Sequence, residues 1–344
     1  MSEKSEMEQG AILLLPQLKG ELVVAGNTGG QEVALPERLI LPKLITDAGE
    51  TATLRFVNFF TAEIENDNTR MACLRAFRQF DAWCLAKGIG LYQLQPFVVA
   101  AYTKELKETR HPQTVKQHLA ALRMLFDNLV IGQVLPNNPA ASVRGPKYTT
   151  KKGKTPVLIE TRQLFDKMDT SHLIGLRDRA LIGVMVYSFA RVSAVINMKV
   201  EDFYQTGHKW KIRLHEKGGK FHEVFAHHNL AEYLHEYIAA AGIAEQKKAA
   251  LFRTSEGRSR KLTANAMNRR DALFMVKRRA DDAGVNGMIG CHTFRATGIT
   301  NYLMNKGTLE FAQKLACHES ARTTGLYDRR DDEVSLDEIE KIKI

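Results

Sequence analysis

Apolar residues recur every three or four positions over long stretches of this chain, the spacing that gathers them on one face of a helix. Met71, Leu74, Phe77, Phe80 and Cys84 form one such stripe behind the cap candidates Asp67 and Asn68. Arg70, Arg75 and Arg78 lie between them. After Pro112 a second stripe runs through Val115, Leu119, Leu122, Phe126 and Leu129, with Gly132 as its stop. Gln113, Lys116, Gln117 and Arg123 fall off that stripe. A helix with such a polar face can lie in a DNA major groove, and the solvated face of a bundle accounts for the same pattern. Residues 1–45, Gly-rich and acidic, lack the helical period and read as a flexible arm with at most a short docked piece. Periodicity is lost again over residues 141–156, where Arg144, Lys147, Lys151, Lys152 and Lys154 crowd a proline-punctuated linker. A basic tether of this kind either tracks a phosphate backbone or merely connects two lobes.

The second half is mixed. Helical segments over about 160–189 lead to KWKIRLHEKGGKFHEVFA, in which Trp210, Ile212 and Leu214 alternate with polar residues and a Lys-Gly-Gly-Lys turn joins two strands of a hairpin. Helical spacing returns over 230–241, 263–283, 293–305, 308–316 and 320–328. The pattern predicts five parts: the arm (1–45), a helical domain (46–140), the linker (141–156), a second domain (157–330) and a tail (331–344). The fold class is mainly α with a small antiparallel sheet (α+β).

Charge sharpens this picture. The net +10 is unevenly spread: residues 1–50 hold four basic and eight acidic side chains, and residues 331–344 hold two and six. The 43 Lys and Arg of the part between, against 25 Asp and Glu, suit a polyanionic partner, because clustered cations release counterions from nucleic acid. Solubility alone is the bland alternative. Four cysteines without a CxxC pair suggest neither a disulfide framework nor a zinc cluster and fit a reducing cytoplasm. His222, His227 and His228 lie close together, but no carboxylate or thiolate completes a metal site, so no metal is expected. The longest apolar stretch, Leu181 to Ala190, is half a membrane span, and no membrane association or secretion signal is expected. Walker, GxGxxG, GxSxG and HExxH signatures are absent.

The C-terminal third carries the chemistry. His292 and Arg295, three residues apart at a helix start, are expected to project from one face near the positive end of the helix dipole, where a phosphate would sit. With Arg191, Lys217, His318 and Tyr327 they stand in the order Arg, Lys, His-x-x-Arg, His, Tyr, and here the sequence resembles the tyrosine recombinase (phage integrase) family. HTFRATGIT and ARTTGLYDR look like the family's helices, HESARTTGLY repeats its nine-residue step from histidine to tyrosine, and TVKQHLAALRMLFDNL resembles its core-binding helix. The resemblance covers residues 50–344. It departs from the family pattern at Phe189, where a glycine is usual, and at Ala194, where an acidic residue is common. The support of Arg191 is then built differently, or Arg191 is held less firmly.

The resemblance implies a two-lobed, C-shaped DNA clamp with a SAM-like core-binding domain and a catalytic domain. It implies a site-specific recombinase that acts on double-stranded DNA carrying specific recombination sites, as a homotetramer on DNA and a monomer or dimer when free. The tail, with Val334, Leu336, Ile339 and Ile342 on one stripe, either docks in trans as a helix on a neighbouring protomer, as the resemblance implies, or packs back on its own domain. The residue types suit the chemistry. Arg191 and Arg295 would neutralise charge on a pentacovalent phosphorane, and Tyr327 would form a phosphotyrosine ester that stores the bond energy, with no cofactor. Lys217 would protonate the leaving 5′ oxygen, His292 would help take the phenolic proton, and His318 would donate to the phosphate. DNA contacts are expected from Arg70, Arg75, Arg78, Lys116, Gln117, Arg123, Lys147, Lys151, Lys152 and Lys154. A type IB topoisomerase, and a DNA-binding architectural or regulatory protein, are the alternatives.

Overall fold

The apolar stripes of the first half become a helical bundle. In the computed structural model, which describes residues 41–148, 158–216, 221–257, 259–285, 289–329 and 341–342, helices dominate. The chain divides between Thr150 and Lys151 into two compact units. The first contains α1 (Lys43–Thr46), α2 (Glu50–Asn58), α3 (Asp67–Ala86), α4 (Pro96–Thr109) and α5 (Pro112–Ile131). Asn66 begins α3 by accepting from the backbone N–H groups of Asn68 and Thr69, so the cap sits just ahead of the residues the sequence suggested. Pro112 opens α5, where its missing N–H costs no bond. Gly132 closes it with φ −79° rather than the left-handed turn expected of a C-terminal glycine, and a side chain there would overlap Arg55.

Phe56, Phe60, Phe77, Phe80 and Phe126 fill the centre of this unit. Order starts before residue 46: Leu44 and Ile45 are buried, and the Leu44 N–H donates to Asp81 Oδ1 at 2.7 Å. Burial pushes the Asp81 carboxyl up from its ordinary range. The start of the expected linker is docked as well, since Arg123 donates to the carbonyls of Ala140 and Val143.

The second unit contains α6 (Leu158–Lys167), α7 (Leu173–Tyr187), α8 (Val192–Ile196), β1 (Phe203–Thr206), β2 (Lys209–His215), β3 (Phe221–Phe225), α9 (His228–Ala241), β4 (Arg253–Ser255), β5 (Leu262–Ala266), α10 (Arg269–Asp282), α11 (Cys291–Met304), α12 (Leu309–Leu315) and α13 (Ala321–Gly325). Helix α7 is apolar almost all round, as a helix packed on several sides must be. The expected hairpin is present as β2 and β3, with Ile212 opposite Val224 and Leu214 opposite His222; β1 extends it to three antiparallel strands. A second antiparallel pair, β4 and β5, occupies part of the segment read as helix from residue 263. The helix waits until Arg269 because Asn268 and Asp271 form a reciprocal cap there.

One buried carboxylate ties this unit together. Asp178 is fully enclosed; its Oδ1 accepts from Arg177 at 2.9 and 2.6 Å, and its Oδ2 from Arg279 Nε at 2.9 Å. Arg177 donates onward to the Arg253 carbonyl at 2.8 Å, linking α7, α10 and β4. Removing the anion strands Arg177 and leaves Arg279 only its 3.5 Å contact with Asp282. Asp178→Ala is therefore expected to lower stability by about 3–5 kcal/mol, read as a lower urea midpoint at unchanged slope; a change under about 1 kcal/mol would show that the arginines find other partners.

Candidate active site

Arg191 is the N-cap of α8, reached from α7 through Ser188, Phe189 and Ala190. Phe189 has φ +56°, the left-handed region that favours glycine. That conformation costs an L-residue about 1–2 kcal/mol. The ring is buried among Ile299, Leu303, Ala312 and Ala316 and meets Tyr302 edge-on at 6.0 Å. Burying a phenylalanine contributes about 1.5–3 kcal/mol, enough to offset the strain. Gly298 makes the room: a Cβ there would stand 2.8 Å from Phe189 Cδ1 and closer still to the Val186 carbonyl oxygen. Where the sequence departs from the family's glycine, the chain keeps the glycine-like turn and packs a ring beneath it.

Arg295 is 1% exposed. Its Nη1 donates to the Phe189 carbonyl and its Nη2 to the Ala316 carbonyl, while its Nε is buried without a hydrogen-bond partner. Burial first, then the nearby Arg191 cation, bring its pKa down to about 10, so it stays charged at neutral pH. His292, one turn earlier on α11, retains solvent exposure although protein atoms crowd its ring. The two side chains expected side by side are thus divided in depth: one lies beneath the site and one at its mouth.

His292 Nε2 lies 2.8 Å from the Tyr327 hydroxyl. The His318 ring stacks on Tyr327 with centroids 5.8 Å apart and planes 8° from parallel. His318 Nδ1 is 3.0 Å from the hydroxyl of Thr324, itself fully buried. When that hydroxyl donates, Nδ1 is occupied as an acceptor and Nε2 carries the proton. Tyr327 is pinned through its backbone, its N–H donating to the Thr324 carbonyl at 2.9 Å and its carbonyl accepting from Thr300 Oγ1 at 3.0 Å.

The electrostatics follow from burial beside two arginines. Burial, then Arg295 and Arg191, hold His292 below the ordinary histidine range, and the same causes bring His318 down to about 4. Both rings are neutral at pH 7. Burial raises the Tyr327 phenol above its usual value, against the pull of Arg295 and Arg191. A neutral imidazole touching a neutral phenol, beside two guanidiniums, can accept a phenolic proton while an anion is held nearby.

Lys217 lies outside the described residues, as do Lys151, Lys152 and Lys154 and all of the tail but residues 341–342. Directly before Lys217, Glu216 accepts from Arg191 Nη1 at 2.7 Å, a contact that no sequence pattern had singled out. The acid stood in plain view in HEKGGK, but a pairing across 25 residues has no periodic signature. Thr324 was missed too, though it lies inside HESARTTGLY.

The first unit's candidate DNA contacts differ in freedom. Gln117, Lys147 and Arg75 are exposed, Lys116 stands 4.9 Å over the Tyr148 ring, and Arg78 is half-buried. Arg70 pairs with Asp67 at 2.6 Å and donates to the Ile64 carbonyl, so that guanidinium braces the start of α3. Arg123 is committed to the two carbonyls already described. His227 caps α9 through the Asn229 N–H, and among the described residues no three His, Cys, Asp or Glu side chains converge as a metal site. No described helix is long and apolar enough to cross a membrane.

Known proteins resemble this chain in sequence and in fold. Tyrosine recombinase XerC of Salmonella typhi is 27% identical over 221 residues, 64% of this chain and 70% of the relative. Tyrosine recombinase XerC of Leptospira interrogans is 24% identical over 293 residues, 83% of this chain and 91% of the relative. Among solved structures, the XerH site-specific recombinase bound to its difH substrate superposes with TM-score 0.61 at 16% identity, covering 87% of this chain and 95% of that one. A lambda integrase tetramer bound to a Holliday junction gives 0.63 at 15%, covering 83% and 79%; these two likenesses show the fold. The model of the phage integrase family matches residues 159–333, the span that holds Arg191, His292, Arg295, His318 and Tyr327, and the chain belongs to that family, the tyrosine recombinases.

Proposed function

We propose that this recombinase cleaves and rejoins double-stranded DNA at specific sites, with Tyr327 as nucleophile, through a 3′-phosphotyrosine ester and a Holliday junction. The observation that carries the reading is the 2.8 Å contact between the Tyr327 hydroxyl and a histidine kept neutral beside Arg191 and Arg295. The steps follow from it. The phenol oxygen attacks the scissile phosphorus as its proton passes to His292 Nε2; Arg191 and Arg295 offset the growing charge on the non-bridging oxygens; His318 donates from Nε2. The 5′ oxygen leaves with a proton from Lys217, and reversal by a 5′ hydroxyl from another duplex completes exchange. Assembly as a homotetramer on DNA is part of the proposal, by analogy with the lambda integrase tetramer on a Holliday junction. Gln117, Lys116, Arg75, Arg78, Lys147 and the linker lysines remain proposed phosphate or base contacts.

Covalent capture tests this reading and finds the target sequence in the same experiment. The protein is incubated with a pool of randomised, nicked duplexes, denatured, and the DNA that stays attached is sequenced. An adduct with a defined sequence is expected from the native chain and none from Tyr327→Phe, while both bind the recovered duplex alike. An adduct from the Phe variant would remove Tyr327 from the role. Strand exchange between two recovered sites separates a recombinase from a topoisomerase.

The two arginines should part company. Arg191→Ala and Arg295→Ala should each slow cleavage by about 10²- to 10³-fold. Arg295→Ala also leaves buried carbonyls unpaired, costing about 1–3 kcal/mol for each, whereas Arg191→Ala leaves the enclosed Glu216 carboxylate without its cation. Adding Glu216→Gln should therefore recover melting temperature in the Arg191→Ala background alone; recovery in both backgrounds would contradict this division.

The pH dependence has a definite sign. His292 is depressed below 6.5, so it stays a proton acceptor through neutral pH and is lost as pH falls through its folded value. The rate of cleavage at limiting enzyme and DNA, which reports the DNA-free site, should fall only on the acid side, with its acid limb centred below pH 6.5. His292→Ala should lower the plateau by about 10²-fold or more. An acid limb centred above pH 6.5 would mean that another group takes the proton.

A further inference from the structure

Arg191 reaches Glu216 from the wrong direction for a helix-borne partner. The acidic residue that the resemblance leads one to expect three positions after the arginine is absent, and Ala194, whose N–H bonds to the Arg191 carbonyl at 2.9 Å, is fully buried. The carboxylate comes from the end of β2. Its side chain is 4% exposed and the Arg191 Nη1 it accepts from is 2.7 Å away. A buried carboxylate costs several kcal/mol unless it is paired, so a Glu at this place is retained only with a cation held against it. Burial lowers both Arg295 and His222, and the charge of Glu216 opposes that shift in each. The site thus contains two like charges that repel and one enclosed anion that attracts both.

We infer that Glu216 is the positioning residue for Arg191, taking over from the β2 strand the support that Ala194 cannot give from α8. The inference rests on the phosphate-clamping role proposed above for Arg191. Nη1 donates to Glu216, and the guanidinium, 38% exposed, has further donors that the clamp reading assigns to phosphate oxygens. Glu216 immediately follows β2 and immediately precedes Lys217 in the sequence.

The test uses the duplex recovered by covalent capture and a double-mutant cycle in the full chain. Glu216→Gln keeps the shape and removes the charge. It should slow single-turnover cleavage by about 10- to 100-fold with duplex binding unchanged. Glu216→Gln combined with Arg191→Ala should be no slower than Arg191→Ala alone, since nothing is then left to position. A methylphosphonate at the scissile position, which removes the charge of one non-bridging oxygen, should shrink the defects of Glu216→Gln and Arg191→Ala together. Normal or faster cleavage by Glu216→Gln would overturn the inference. So would an equal loss in the Arg191→Ala background, which marks a merely structural role and covers a variant that folds poorly. Normal cleavage by Arg191→Ala would instead overturn the clamp reading on which the inference stands.

Discussion

The site depends on one buried cation. Arg295 joins three stretches of chain that are far apart in sequence: its own helix, the turn at Phe189, and the Ala316 carbonyl just before His318. A guanidinium can do this because it offers donors in fixed, divergent directions and does not give up its proton at any working pH, whereas a lysine would serve one carbonyl and neutralise on burial. The carbonyls gain a partner they could not otherwise have in a dry interior, and the arginine gains part of the solvation it lost. The unmatched Nε marks where that exchange is incomplete. An anion reaching it would complete the set.

Phe189 shows how such an arrangement survives a change of residue. Its carbonyl must point at Arg295, which requires the turn; the turn requires φ +56°. Glycine would reach that conformation without strain and leave a void above Gly298. Phenylalanine is strained there but fills the void, and it joins the small apolar cluster against which Tyr327 also packs. The backbone conformation is what the site needs, and the side chain is free to vary provided something else supplies the lost ease.

How legible this was in the sequence depended on the range of the interaction. The stripes of α3 and α5 and the alternation of Trp210, Ile212 and Leu214 reflect local periods, so those elements were readable to within a few residues. The strand Leu262–Ala266 was not, because its alternation, LTANA, is only five residues long, carries a single large apolar side chain and is largely exposed, and its partner Arg253–Ser255 is shorter still. The identities of Arg191, His292, Arg295, His318 and Tyr327 came from their order and from a family resemblance, not from any period. Their depth could not be read at all. His292 and Arg295 share a helix turn in the sequence, yet what surrounds each is decided by segments more than 20 residues away, among them Ala316 and Tyr327. The Glu216 contact is of the same long-range kind.

Before DNA arrives, the arrangement is electrostatically unfinished. The depressed pKa values of His292 and His318 arise in part from the positive field of Arg191 and Arg295. A phosphodiester bound between those arginines would bring a negative charge into the same low-dielectric space, where it counts for more than it would in water. It would offset the field on both rings and return their basicity toward the ordinary range. His292 would then become a better acceptor for the phenolic proton at the moment the phosphorus is in reach. The same anion would weaken the pull on the Tyr327 phenol and make its spontaneous ionisation harder. With Tyr327 as the proposed nucleophile, the gain in His292 basicity and the rise of the phenol offset one another, so the proton transfer rests on the direct contact between the two groups rather than on the field alone.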